Sequence, residues 1–261
     1  MAGAGLPGLF DTGTDLILLN KKIKMINSLK ANNTGIDYTG DIAQFGASSF
    51  LDETGNTRPK TLLSAGTAGS PDIPRKNFYF NRSGLISINN LFNTKRKLQW
   101  RLNMQLLVDR NRFNYASMVD NYLGADTIRY YENQSSVRKP YQFNTALNLM
   151  INKQKYYLNN TLRLNFAGER NASNMDLNGH AFYQYLRSRT FDISNHFNWT
   201  PAVKKGIISI NWYVNSYNNP QRLRIDTGLN ADLLNEGLPF EAILQKAATP
   251  TLFSHVYVSY M

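Results

Sequence analysis

Residues 98–109 read LQWRLNMQLLVD and carry the pattern that decides the fold. One set of alternate positions is apolar: Leu98, Trp100, Leu102, Met104, Leu106 and Val108. The other set is mostly polar: Gln99, Arg101, Asn103, Gln105, Leu107 and Asp109. Successive side chains of a strand point to opposite faces of a sheet, so this pattern predicts a long β-strand with one apolar and one polar face.

The same alternation recurs on both sides of this stretch. It is clear in four windows: 141–152, 155–168, 182–199 and 206–218. It is weaker in three others: 23–34, 77–92 and 251–261. Several windows alternate for about 12 residues, whereas strands of globular proteins average about five or six. A tilted strand needs roughly 9–11 residues to cross a bilayer, so this length is typical of membrane strands.

Short turns and long polar stretches follow one another along the chain. Tight turns are predicted at 20–22, 93–96, 153–154 and 201–205. Long polar stretches, interpreted as loops, cover 35–76, 113–140, 169–181 and 219–250. This loop pattern is typical of bacterial outer-membrane barrels. The sequence therefore predicts an all-β fold, an antiparallel up-and-down meander that forms part of a transmembrane outer-membrane β-barrel.

Aromatic residues lie near both ends of the predicted strands. Phe92, Trp100, Tyr156 and Trp199 adjoin short turns, and Phe113, Tyr141, Phe166 and Tyr217 adjoin the predicted long loops. Aromatic rings favour the headgroup level of a bilayer, so these eight residues are predicted to form two membrane-interface girdles. In this interpretation the apolar face contacts lipid and the polar face lines an aqueous lumen. In a soluble sandwich the apolar face would instead be the core.

Composition excludes several classes of protein. The 261 residues carry a formal net charge of +11 and include no cysteine, which excludes a disulfide framework, a thiolate zinc site and a cysteine nucleophile. No apolar run reaches the roughly 18 residues of a membrane-spanning helix. The basic balance suits nucleic acid or anionic lipid. Lysines concentrate in the predicted tight turns, where they stay solvated, so nucleic-acid binding is not predicted.

No catalytic, cofactor or metal site is predicted. The G-x-G-x-x-G match at residues 3–8 has no strand before it and no helical period after it. The three histidines, His180, His196 and His255, lack metal-ligand spacing. Four aspartates near predicted loops lack the spacing of a calcium loop: Asp11, Asp15, Asp37 and Asp41. We therefore expect a protein that is not an enzyme.

Several stretches resemble one known family. Residues 6–10 (LPGLF) and 15–25 (DLILLNKKIKM) resemble the early barrel of TonB-dependent receptor-like outer-membrane proteins. Residues 62–71, 77–82, 126–133 and 156–162 are similar to the same group. The resemblance implies a plug inside a barrel of about 22 strands and energised uptake of a large nutrient, such as a siderophore, vitamin or oligosaccharide. It also implies two partners, the lipid bilayer and the TonB energy-coupling complex, the latter through regions outside this chain.

The expected organisation is a partial β-barrel over residues 1–261. Residues 1–34 supply early barrel strands, 35–76 a long loop, and 77–261 a meander with short periplasmic turns and long extracellular loops. No signal peptide and no plug are recognised, so we expect a fragment of a protein of the Gram-negative outer membrane. Ligand contacts are expected within 113–140 and 219–250.

Two other interpretations remain open. The first is a soluble or surface β-sandwich that binds glycans through exposed tyrosine and tryptophan. The second is a small passive outer-membrane barrel, complete in itself. An incomplete barrel leaves two unpaired strand edges, which are costly in lipid, so the fragment interpretation predicts aggregation when the chain is expressed alone.

Overall fold

The structure, a computed structural model, describes residues 2–5, 8–42, 61–66, 72–74, 77–94, 97–124, 126–226 and 231–260. Its strands are β1 (Ala2–Gly5), β2 (Leu9–Leu19), β3 (Ile23–Asn32), β4 (Ser83–Asn93), β5 (Leu98–Val108), β6 (Asn111–Leu123), β7 (Asp126–Lys153), β8 (Tyr156–Leu177), β9 (His180–Val203), β10 (Gly206–Asn218), β11 (Gln221–Asp226), β12 (Ala242–Ala247) and β13 (Thr251–Tyr260). A 3₁₀ helix spans Tyr38–Asp41, and a single α-helical turn, α1, spans Ala231–Leu234.

All thirteen strands belong to one antiparallel sheet. Ten follow the order β1-β2-β3-β4-β5-β7-β8-β9-β10-β13, while β6 pairs with β7 and β11 pairs with β9 and β12. The predicted all-β antiparallel meander is confirmed. Among the described strands β1 and β13 each pair with one neighbour, so the sheet is open and not closed into a barrel.

Three pairs of strands continue one another in the same register. Both β5 and β6 pair with β7, on either side of a break at Asp109 and Arg110, without a shift in register. On β9, strands β10 and β11 are related in the same way across Asn219 and Pro220. Strand β12 pairs with β11 and strand β13 pairs with β10, again in one common register. The sheet therefore contains hairpins much longer than the sequence windows predicted.

The prediction of long loops at 113–140 and 169–181 is wrong. Strands β6 and β7 occupy the first range, and the ends of β8 and β9 occupy most of the second. Their hairpins close on tight turns at Gly124, with φ 67°, and at Asn178 and Gly179, with φ 52° and 84°. Positive φ is easy for Gly and tolerated by Asn, which explains the turns. Polarity on both faces of these strands was mistaken for loop character.

The other two predicted loops are partly described. Residues 219–250 contain β11, α1 and β12, so the strands there are a further correction. Of residues 35–76, the ranges 43–60, 67–71 and 75–76 lie outside the described residues. The 3₁₀ helix and residues 61–66 are described, and both pack against one face of the sheet.

Two small hydrophobic clusters lie on that face, which we call the inner face. Tyr38 of the 3₁₀ helix packs on Leu85 of β4 and Leu107 of β5. Ala65 packs on Leu186 of β9 and Leu223 of β11. The opposite face, called the outer face, carries the alternate residues of each strand. Two described parts of the connection from β3 to β4, the 3₁₀ helix and residues 61–66, thus lie on the inner face of the sheet.

Candidate functional site

The inner face is polar although it is the more buried of the two. Residues opposite one another in antiparallel strands share a face, and this register places most of the buried polar residues together. Gln134, Asn171 and Asn215 are exposed by only 0%, 2% and 1%. Buried amides need partners: Asn215 donates to Asp192 Oδ1 at 2.6 Å, and Gln134 donates to Ser173 Oγ at 3.0 Å. Hydrogen bonds between buried polar side chains therefore form a network on the inner face.

Glutamine side chains hold residues 61–66 against the polar inner face of the sheet. Gln221 Oε1 accepts from the backbone N–H of Leu62 at 3.1 Å and of Leu63 at 2.7 Å. Gln184 Oε1 accepts from the N–H of Gly66 at 2.9 Å, and Gln134 donates to the carbonyl of Gly66 at 2.9 Å. Bonds to a segment more than 60 residues away in sequence fix its position.

A cavity of about 480 Å³ lies between this covering segment and the sheet. Its charged lining residues are Asp37, Asp109, Arg138 and Glu169. Arg138 Nη2 contacts Glu169 Oε2 at 2.6 Å. The remaining lining includes Thr39, Thr61, Ser64, Ser83, Gln142, Asn171, Ser188 and Thr190. Hydroxyl, amide and charged groups in a pocket of this size favour a polar, hydroxyl-rich ligand over an apolar one.

Tyr79 forms the closest polar contact in the cavity. Its hydroxyl donates to Asp109 Oδ2 at 2.5 Å, and Asn111 Nδ2 lies 3.4 Å from the hydroxyl oxygen. Burial, followed by the hydrogen bond to Asp109 and the charge of Asp109, raises the pKa of Tyr79 to about 12. The phenol is therefore neutral at physiological pH, and it acts as a fixed donor to the carboxylate.

The outer face carries a broad apolar surface. One row across the sheet reads Ile23, Phe92, Trp100, Leu149, Asn160, Phe197, Trp212 and Val256. A second row, six residues further along each strand, reads Leu29, Ile86, Leu106, Phe143, Phe166 and Phe191. Many of these side chains are exposed, Trp212 by 45% and Val256 by 59%. Contiguous apolar exposure on this scale marks a contact surface.

Six of the eight predicted interface aromatics lie on the outer face. They are Phe92, Trp100, Tyr156 and Trp199 near the short turns, and Tyr141 and Phe166 towards the other end. Phe113 and Tyr217 lie on the inner face, where Tyr217 is 7% exposed. These two were assigned from their distance to loops, but odd and even positions of one strand point to opposite faces. The structure does not place them with the other six; lipid contact by the six stays a prediction.

The cavity was only partly anticipated from the sequence. Arg138 and Pro140 come from the predicted contact range 113–140, whereas no described lining residue comes from 219–250. The roles of Tyr79 and Glu169 were missed. Arg138 and Glu169 are 31 residues apart in sequence. They lie side by side only because of the register between β7 and β8.

Three of the four aspartates considered for calcium have separate structural roles. Asp37 caps the 3₁₀ helix by accepting from the N–H of Thr39, and Asp41 pairs with Lys30 at 2.8 Å. Asp11 accepts from the hydroxyl of Tyr38 at 3.3 Å. Within the described ranges, no cluster of three or more His, Cys, Asp or Glu side chains could hold a metal ion.

Comparisons with known protein families and with curated proteins found no match to this chain. In the part of the chain that the structure describes, no helix combines the length and apolar character needed to span a membrane. A functional assignment therefore depends on the two faces of the sheet and on the cavity.

Proposed function

We propose that the chain is a wall segment of an outer-membrane, TonB-dependent receptor-like transporter that takes up a large nutrient such as a siderophore, vitamin or oligosaccharide. In this proposal the outer face contacts lipid and the inner face lines the aqueous lumen. Coupling to the TonB complex is assigned to regions outside this chain, and the location is the outer membrane of a Gram-negative bacterium.

One observation carries the proposal: the outer face has no charged side chain across five successive rows. These rows run from that of Leu98 and Trp199 to that of Leu106 and Phe166, counted over the described residues. Interruptions are uncharged, as with Asn160. A charge facing lipid near the midplane costs roughly 2–4 kcal/mol, whereas a solvated face gains nothing from excluding charge. Charge exclusion over a wide exposed surface therefore favours lipid as its surroundings.

The height of this surface agrees with a bilayer. Leu98 and Leu106 lie eight residues apart on β5, which at about 3.4 Å per residue corresponds to about 27 Å along the strand. A tilt of about 40° reduces this to about 21 Å, near the roughly 25 Å apolar band of membrane barrels. The inner face supports a lumen, because most of its buried side chains are polar and it also carries the partly exposed ion pair of Arg138 and Glu169.

Tryptophan fluorescence tests the proposal. The three tryptophans are Trp100, Trp199 and Trp212, and the register places all three on the outer face near the short turns. We expect brominated phosphatidylcholine in mixed micelles to quench them, and bromine near the headgroup to quench more than bromine deep in the acyl chain. Matched micelles of unbrominated lipid provide the control.

The glycan-binding sandwich predicts a different result. Its tryptophans would be water-exposed, so iodide would quench them and brominated lipid would not. Folding to a stable monomer in detergent-free buffer, together with absent quenching by brominated lipid, would exclude the transporter proposal.

A further inference from the structure

A row of basic residues crosses the outer face immediately beyond the apolar surface. It consists of Arg82, Arg110, Lys139, Arg170, Arg187, Arg222 and Lys246, here called the basic row. Arg82 and Arg110 exchange backbone hydrogen bonds. From Lys139 onward each member is directly opposite the next in the strand register. The two register segments on β7 place Arg110 opposite Lys139. Adjacent rows on this face add Arg112, Arg189 and Arg224.

The basic row carries an electrostatic cost that the described residues do not offset. Neighbouring strands lie about 4.8 Å apart, and like charges directly opposite one another destabilise a sheet. Among the described residues, none of the seven side chains forms an ion pair; the four pairs present involve other residues. Asp109 and Glu169 are close in sequence, but their strand positions belong to the inner face. Seven aligned cations that have no acidic partner in the described part of the chain indicate an external anion.

The basic row also has a defined height. Trp100 and Arg110 are ten residues apart along β5 and its continuation, which is about 34 Å along the strand and about 26 Å across a bilayer at a tilt near 40°. If the aromatic row lies at one interface, the basic row lies at the headgroup level of the opposite one. Cations at the edge of an apolar surface complement an amphiphile that has acyl chains and an anionic head.

Two depressions occur along the basic row. One, of about 190 Å³, is lined by Arg82, Arg110 and Arg112 together with Asn33, Phe80 and Asn81. The other, of about 490 Å³, is lined by Arg187, Arg189, Arg222 and Lys246 together with Pro220, Gln221, Ala247 and Ala248. Arginine forks bind phosphate through paired N–H donors. Each depression presents several cations to one headgroup.

We propose that the basic row binds anionic, phosphate-bearing membrane lipids, whose headgroups contact the arginines and whose acyl chains lie on the apolar outer face. This inference rests on the proposed function, because it needs the outer face in lipid. The anionic lipid offsets the repulsion within the row and fixes the depth of the sheet in the membrane.

Native mass spectrometry of the full chain in detergent tests this inference. Dimyristoyl phosphatidylglycerol and dimyristoyl phosphatidylcholine are added separately, and the dissociation constants are compared. We expect tighter binding of phosphatidylglycerol, and we expect the variant Arg82→Gln/Arg110→Gln/Arg170→Gln/Arg222→Gln to weaken it about tenfold or more. Inorganic phosphate, added as a competitor, separates lipid binding from binding of the headgroup ion alone.

A matched control removes the same charge elsewhere. Lys21→Gln/Lys22→Gln/Lys204→Gln/Lys205→Gln changes four exposed lysines at the short-turn end, so both variants have the same net charge. This control should weaken phosphatidylglycerol binding by a clearly smaller factor than the four-arginine variant, because its lysines lie as two separate pairs in two turns and not in one aligned row. If the four-arginine variant fails to fold, Arg170→Gln/Arg222→Gln serves in its place with an intermediate loss.

Three results would overturn the inference. Equal affinity of the wild type for the two lipids, an equal loss in both variants, or full displacement by millimolar phosphate would each do so. Binding of single-stranded RNA with the same dependence on the arginines, and no lipid preference, would assign the row to nucleic acid instead. Failure of the proposed function is distinguishable, because it abolishes tryptophan quenching by brominated lipid, whereas failure of this inference alone leaves that quenching intact.

Discussion

At Gly168, atoms of neighbouring residues occupy the space that a Cβ atom would need. A Cβ atom there would lie 2.6 Å from the backbone oxygen of Ser188 and 2.8 Å from the hydroxyl oxygen of Tyr141. The tyrosine ring could move aside, but the backbone of β9 is held by the β8–β9 ladder. The absence of a side chain at this position therefore lets Tyr141 cover the backbone of β8.

We expect Gly168→Ala to lower the free energy of unfolding by about 1–3 kcal/mol, because overpacking forces the neighbouring backbone to shift. Gly84→Ala is the matched control: Gly84 lies in the same row of the outer face, and its nearest neighbour, Val108 Cγ2, would be 3.7 Å from the new Cβ. Urea unfolding in detergent compares the two variants. Equal losses would show that the close approach at Gly168 is not the cause.

Tyr79 gives a pH-dependent prediction at the residue scale. The pKa of Tyr79 is raised from 10.0 to about 12 in the folded protein, so the neutral phenol contributes stability that is fully present below pH 10. That contribution is lost as the pH rises through about 12. Tyr79→Phe removes the donor to Asp109 and should cost about 1–2 kcal/mol at neutral pH.

The difference in melting temperature between wild type and Tyr79→Phe should therefore be constant up to about pH 10 and shrink above it. Tyr122→Phe is a suitable control, since Tyr122 is 76% exposed and lies at a hairpin end of β6. A difference that stays constant up to pH 12 would contradict a raised pKa at Tyr79.

The elements show how far periodicity predicts this fold. Strand β5 follows from its own alternation, and its faces agree with the predicted apolar and polar sets. Periodicity failed beyond Val108, because β6 carries polar residues on both faces and no longer signals a buried side. The turn at Asn178 and Gly179 was available as a local signal for a two-residue hairpin connection. The meander was thus predictable, while the reach of its hairpins was not.

Two neighbouring residues of β5 allow the same substitution to be compared on the two faces of the sheet. Leu102 lies on the outer face opposite Leu147, and Asn103 lies on the inner face opposite Ala146. We expect Leu102→Arg to cost roughly 2–4 kcal/mol if the outer face contacts lipid or detergent. Asn103→Arg should cost less than about 1 kcal/mol, because the inner face already holds solvated and paired charges. Urea unfolding in detergent measures both, and equal small losses would indicate that water surrounds the outer face.

At the scale of the whole molecule, the cavity depends on contacts that no local pattern encodes. Gln221 binds Leu62 and Leu63 across separations of 159 and 158 residues. The sequence identified an asparagine-rich polar face but not the segment that folds across it. The basic row likewise depends on the register between neighbouring strands, which is set by the length and position of each turn. Both features became visible only once thirteen strands had been placed in one sheet.

Two properties of the whole sheet oppose a soluble monomer. The outer face exposes large apolar side chains, among them Leu147 by 37% and Val258 by 59%. The edges at β1 and β13 leave backbone donors and acceptors unpaired among the described strands, and such edges template pairing with further chains. Detergent covers the apolar outer face but does not pair the strand edges, so an experiment with and without detergent separates the two effects.

We expect the 261-residue chain to aggregate in detergent-free buffer and to disperse as small oligomers in detergent. Size-exclusion chromatography with light scattering measures both states. Replacing Leu102, Leu147 and Leu162 by Gln, all in one outer-face row, should raise the fraction that stays soluble without detergent. The inner-face control Gln99→Ala/Asn103→Ala/Asn144→Ala should not. A monodisperse wild type that melts sharply in plain buffer would mean that water tolerates this face, and the membrane assignment would then lose its physical basis.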